Sequence, residues 1–244
     1  MRHHGDVHHL EFFDPKTRPR AIFWDSAALA TAPVSLARST SFETYWWALM
    51  CIGAAQTANP LVQASRYQAW RLARNAYPRL HDPADHAARI DLCAASLLQN
   101  RDEEDGGKPL SCHILIRAAY AVSVALFNRY AGITQSHGYA GMAPAVIRHL
   151  GHLCPDVTAA IGTALELQVQ PQDVQLGDKV ANAVEAHFDL LGWQTPLREV
   201  AIPMDHAPTL LKFALKNFNA NHDRHLDDHV NLILSAIQDA ISLR

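Results

Sequence analysis

Between Leu110 and Tyr130 the chain reads LSCHILIRAAYAVSVALFNRY, a long apolar segment whose interior charges are Arg117 and Arg129. It is too long for a strand. With two guanidinium groups it is also too polar to serve as a bilayer span, which takes about 18–20 nearly uncharged residues. The remaining solution is a central buried helix, and such a helix requires a shell of others around it.

The rest of the sequence supplies that shell. Thr40 and Glu43 fit a capping box for a helix over 41–55, with Trp46, Trp47, Met50 and Cys51 on its core side. Pro60 suits the first turn of a helix over 61–77, where Ala64, Tyr67, Ala69, Trp70 and Leu72 give the apolar positions. A third runs over 83–100, followed by the charged connection RDEEDGGKP. Further helices are expected over 140–153, 156–167, 173–190, 207–216 and 227–243. RAIFWD, Arg20 to Asp25, reads as the one strand, a short apolar run after Pro19. The fold class is therefore an all-α bundle over 20–244 with one short N-terminal strand, preceded by a flexible His-containing segment over 1–19.

Composition narrows function. At 244 residues, 49% apolar and 18% charged, the chain can bury a sizeable core. Its formal charge of −3 and scattered Lys and Arg do not form a nucleic-acid footprint. No run reaches membrane length, and the N-terminus shows no signal-peptide apolar region, so the expected location is cytoplasmic. Cys51, Cys93, Cys112 and Cys154 lie far apart and read as reduced buried thiols. The cluster of His3, His4, His8 and His9 sits in a terminal segment and reads as adventitious metal binding at most.

Five stretches, in order, resemble the helical half of the iron-containing alcohol dehydrogenase family. RPRAIFWDSAALATAPVSLARS is similar to the segment leading from that family's nucleotide domain into its helical domain. ANPL through ASLLQN, Ala58 to Asn100, matches the two helices after the first ligand pair. SHGYAG, Ser136 to Gly141, resembles the P-H-G-x-A-N turn. LGWQTPLREVAIPMDHAPTLLKFAL and NANHDRHLDDHVNLILSAI resemble the two C-terminal motifs. The first segments lean toward the maleylacetate reductases.

The resemblance implies a helical bundle, oxidoreductase activity, Fe²⁺ or Zn²⁺ and NAD(P). It implies four metal ligands, an Asp and a His on G-M-D/N-A-L-x-H-A-I-E, a His of H-A-L-A-H and the His of P-H-G. Counting back from ANPL places Thr44 and Ala48 at the first two positions. Counting back from His137 places Ser123 at the third and Phe127 at a substrate-side His; a different gap placement puts His113 at the third ligand position instead of Ser123. His137 and His113 are thus the metal candidates, with Glu43 one residue from the Asp position and about 100° around the helix from it. Catalytic Zn²⁺ or Fe²⁺ sites generally need three protein ligands. The Gly-rich turn that seats a dinucleotide has no counterpart, the single Gly pair being Gly106-Gly107.

Read from the residues alone, His137 caps a helix starting near Tyr139 or fills a core gap, and His113 is a buried, hydrogen-bonded histidine. His149 and His152 are three apart on one helix face, and His222, His225 and His229 lie among Asp223, Asp227 and Asp228 on a solvated face or a weak metal site. No G-x-S-x-G and no reactive Cys context is present, and adjacent Cys112 and His113 make a poor nucleophile–base pair. Three readings stand: a helical half that works with a separate dinucleotide-binding domain or a homo-oligomer, a degenerate interaction or regulatory module, or an inactive remnant. The first two place an apolar patch near Ala28 to Ser41 and the turn at His137.

Overall fold

The protein was studied as a computed structural model that describes residues 19–193, 197 and 200–242. Within them the chain forms α1 (Ser26–Ala30), α2 (Val34–Ile52), α3 (Pro60–Ala76), α4 (His86–Glu104), α5 (Ile114–Arg129), α6 (Gln135–Leu150), α7 (Pro155–Ala164), α8 (Leu176–Leu190), α9 (Ala207–Ala214), α10 (Phe218–Asn221) and α11 (Val230–Ile241). The expected all-α bundle is the observed one. The terminal segment with His3, His4, His8 and His9 lies outside the described residues, as do Gln194 to Pro196 within LGWQTPL.

α5 is the axis. Every residue from Ile114 to Leu126 is buried, Arg117 and Ser123 included. Arg117 keeps its charge by reaching out of the core to Asp223 at 2.7 Å and to the Ala220 carbonyl. Removing an isolated charge from water costs far more than one paired and hydrogen-bonded in this way. α6 packs along α5, α8 and α11 pack on α6, and α3 pairs with α4. The buried side chains of α2 through α11 join into one apolar cluster. No helix among the described residues is long and apolar enough to cross a membrane.

Two sequence expectations fail. Arg20 to Asp25 forms no strand: there is no partner strand among the described residues, and a ladder needs two. Instead, Asp25 turns back to cap α1, its Oδ1 accepting from the Ala27 and Ala28 amides. The Thr40–Glu43 capping box is also absent. α2 begins two turns earlier, after Pro33, and Thr40 lies inside it with its hydroxyl donating to the Leu36 carbonyl at 2.9 Å. A helix-interior threonine bonding back four residues carries the same letters as a cap. By contrast, Pro60 does occupy the first turn of α3, where Asn59 caps the Leu61 and Val62 amides.

The charged run expected as a connection begins within the last turns of α4 and holds a buried anchor. Arg66 and Asp102 are nearly inaccessible, and they pair through Nε to Oδ2 at 2.5 Å and Nη2 to Oδ1 at 3.1 Å. Arg66 also donates to the Ala54 and Gly107 carbonyls. Burial pushes the Asp102 carboxyl up, and the Arg66 guanidinium opposes that. Gly107 is required here, because a Cβ on it would sit 1.9 Å from Asp102 Oδ1.

Candidate functional site

The four positions the family resemblance marks as metal ligands fall on α2, α5 and α6. α6 is held against α2 by the Ser136 hydroxyl, which donates to the Ser39 carbonyl, and by the Tyr139 hydroxyl, which donates to Glu43 Oε1 at 3.3 Å. Thr44 is half-buried and Ala48 is buried; the Thr44 carbonyl accepts from Gln99 Nε2 at 2.7 Å. Ser123 spends its hydroxyl inside its own helix, donating to Ala119 O at 2.6 Å. Directly opposite it lies Gly138: a Cβ there would stand 2.8 Å from Ser123 Cβ and 2.9 Å from its Cα. The two helices therefore touch at the position where a third ligand would project.

The wedge between the three helices is filled with rings. Tyr139 stacks on Trp46 at 4.1 Å and 7° and lies parallel to Tyr120 at 6.5 Å, while Trp47 meets Tyr120 at 5.8 Å. Each such contact adds about 0.5–1.5 kcal/mol beyond area burial. Burial pushes the Tyr139 phenol well above its ordinary range, with Glu43 adding to the effect, so the hydroxyl stays protonated, donating to Glu43 and accepting from Gln135 Nε2 at 3.2 Å. Three of the four positions carry a hydroxyl, a methyl and a second hydroxyl, and His137 alone brings an imidazole, short of the three ligands such a site takes. This set does not fit Fe²⁺ or Zn²⁺, which are held by imidazole, thiolate and carboxylate.

The two histidine candidates are not brought together. His137 is the third residue of α6, and its Nδ1 accepts from the Thr134 amide at 3.2 Å while Thr134 Oγ1 accepts from the His137 amide. This is a capping box with imidazole in place of a carboxylate, and it starts the helix at Gln135, five residues before the expected 140. The ring also meets Trp193 edge-on at 5.3 Å. His113 caps α5: Nδ1 accepts from the Ile116 amide at 3.2 Å and Nε2 donates to Met50 O at 2.9 Å. It stands ten residues before Ser123, roughly 15 Å along the axis, whereas His137 adjoins Gly138 beside Ser123. One metal, with bonds of about 2 Å, cannot span both.

Nor do the other histidines assemble a centre. His149 pairs with Asp239 at 3.4 Å. Asp223 is taken by Arg117, and Asp227 by Asn221 and Arg224. Among the described residues no group of three or more His, Cys, Asp or Glu side chains could hold a metal ion.

A cleft opens beside Thr44. It encloses about 420 Å³ between α2, α4, α5 and α6, with Glu43, Thr44, Trp47, Gln99, Tyr120 and Gln135 among its walls. A neighbouring cavity of about 340 Å³ shares Glu103, Pro109 and Leu110 and is also lined by Lys108, Phe218 and His222. Sequence reading reached Glu43 and Thr44 but not Gln99 or Gln135, which carry no motif. Their signal is positional, one helix face of α4 and the first turn of α6.

No family model matches the sequence, and no curated protein matches it. Solved structures do. Crystal structures of an archaeal halo-thermophilic alcohol dehydrogenase from a Red Sea brine pool match with a TM-score of 0.70 and 14% identity, over 88% of this chain and 53% of that one. A 1,3-propanediol oxidoreductase matches with a TM-score of 0.63 and 18% identity, over 87% of this chain and 54% of that one. The chain thus has the all-α fold of the helical part of iron-type alcohol dehydrogenases and spans about half the length of the structures it matches.

Proposed function

We propose that this helical unit is a non-catalytic counterpart of the dehydrogenase helical domain, holding neither Fe²⁺ nor Zn²⁺ at the family's position and acting as a binding module in a larger assembly. The observation that carries the reading is the closed contact between Ser123 and Gly138, with Tyr139 stacked on Trp46 beside it. A metal site on this scaffold needs side chains that converge on one point, and here the third position, Ser123, faces the Gly138 backbone.

The partner fitting this reading is a separate dinucleotide-binding domain. Phe23, just ahead of the expected Ala28 to Ser41 face, is 91% exposed, and Leu36, within it, is 54% exposed. Arg38, two residues on, reaches the Leu191 carbonyl at the end of α8, where Leu190 is 86% exposed. Phe23→Ser with Leu36→Ser should abolish binding of an apolar-surface dye or self-association seen by light scattering, and purified chain should give no NAD(P)⁺-dependent oxidation of alcohols. A wild-type monomer that binds no dye contradicts the interaction face. Turnover by this chain contradicts the non-catalytic reading.

A further inference from the structure

We infer that the cleft beside Thr44 is a binding site for a small aliphatic amine in its ammonium form, seated between Glu43 on α2 and Glu103 on α4. Its volume of about 420 Å³ suits a compact ligand, since small-molecule pockets run from about 300 Å³ upward. Glu43 and Glu103 bring two carboxylates to its walls, and no Lys, Arg or His lines it. The neighbouring cavity differs, with Lys108 and His222 in its wall. Neither Phe23 nor Leu36 borders the cleft, so binding here stands or falls apart from the interaction face.

The two half-buried glutamines of the cleft are turned to accept. Gln99 Nε2 donates to the Thr44 carbonyl at 2.7 Å, and Gln135 Nε2 donates to the Tyr139 hydroxyl at 3.2 Å. Both amides thus spend their nitrogen on the protein, and among the described residues no donor meets either Oε1. An amide oxygen offers only lone pairs, so a ligand that uses these positions has to bring donors. A primary ammonium brings three, together with a charge that the carboxylates complement. The walls are also set in advance. The Gln99 bond ties α4 to α2, and the Tyr139 hydroxyl holds Glu43 Oε1 at 3.3 Å.

The rest of the lining suits the alkyl part of such a molecule. Pro109 and Leu110 lie on one side, and Trp47 and Tyr120 meet at 5.8 Å and 52°, tilted rather than stacked. An indole ring also attracts an ammonium through its quadrupole. A metal ion is a poorer match, because among the described residues no three His, Cys, Asp or Glu groups could hold one. An alcohol of the same shape offers one proton per hydroxyl and leaves the carboxylates without a counter-charge.

The test is calorimetric titration of the whole chain with 1,4-diaminobutane and, separately, with 1,4-butanediol, which has the same length and no charge. The diamine is doubly protonated at neutral pH, as lysine-type amines are. The expected result is saturable binding of the diamine at a single site, at least about tenfold tighter than the diol. Glu103 is exposed, so Glu103→Gln keeps its shape and the fold while removing its charge, and it should weaken the diamine by about tenfold. Asp178→Asn removes a charge from α8, outside the cleft, and should leave binding unchanged. Overturning results are no diamine binding, equal binding of diol and diamine, wild-type affinity in Glu103→Gln, or an equal loss in Asp178→Asn.

Discussion

Gly138→Ala tests the closure of the α5–α6 contact on which the functional reading depends. In an open helix face this change would stabilise α6 by about 1 kcal/mol, since alanine loses less backbone freedom. Here the new methyl would meet Ser123 Cβ at 2.8 Å, Ser123 Cα at 2.9 Å and Ser123 O at 3.2 Å. Two of those three atoms belong to the backbone of the buried central helix and cannot swing aside. Overpacking of that kind costs about 1–3 kcal/mol. With backbone as the obstacle the upper half of the range applies, so the net loss should be about 1–2 kcal/mol. For a chain of this size each kcal/mol moves Tm by about 2–4 °C, which gives a fall of about 2–8 °C. Urea denaturation followed by circular dichroism would measure it. Gly132→Ala, whose methyl finds nothing nearer than 3.9 Å, is the control and should stay within about 0.5 kcal/mol of wild type. A Gly138→Ala protein as stable as wild type, or more so, would show that α5 and α6 do not touch here.

Ser123→His, which restores the family's ligand type, should lose more stability than Gly138→Ala and gain no metal; zinc-dependent thermal stabilisation of this variant would count against the closed site. Asp102→Ala leaves the Arg66 guanidinium buried without its partner and should cost about 3–5 kcal/mol in urea unfolding; a loss under about 1 kcal/mol would mean that the pair is solvated. Burial, with Arg74 adding to it, holds His187 below its ordinary range. The unfolded chain therefore binds the extra proton first, and stability should decline as pH falls below about 6.5, until the folded-state value is also passed. His187→Gln should flatten that part of the stability–pH curve, and an unchanged slope would assign the dependence to other groups.

How far the sequence could be read depended on the range of the interactions involved. α5 was legible because thirteen consecutive buried positions leave an apolar run that only one element satisfies. α3 was legible from Pro60, a first-turn proline whose physics is local, while the cap by Asn59 emerged only in the structure. The start of α2 was not, since Thr40 followed by Glu43 spells a capping box whether or not the helix has already begun. Arg20 to Asp25 has strand-forming residues, yet a strand exists only with a neighbour, and local letters do not report one. At the candidate site, Thr44, Ala48 and Ser123 could be placed by counting. That Tyr139 fills the wedge beside them depends on how α6 crosses α2, which no spacing encodes. Asp102 was hidden inside RDEEDGG, where a run of charges reads as solvated, although one member is the buried partner of Arg66.

The central claim is that this dehydrogenase-type scaffold carries no metal of its own at the family's position. Elemental analysis by mass spectrometry of purified chain, dialysed against excess Fe²⁺ or Zn²⁺ and then buffer, tests it most directly. The account expects far less than one metal per chain, unchanged by His137→Ala. One equivalent of Fe or Zn per chain, lost in His137→Ala, would contradict it.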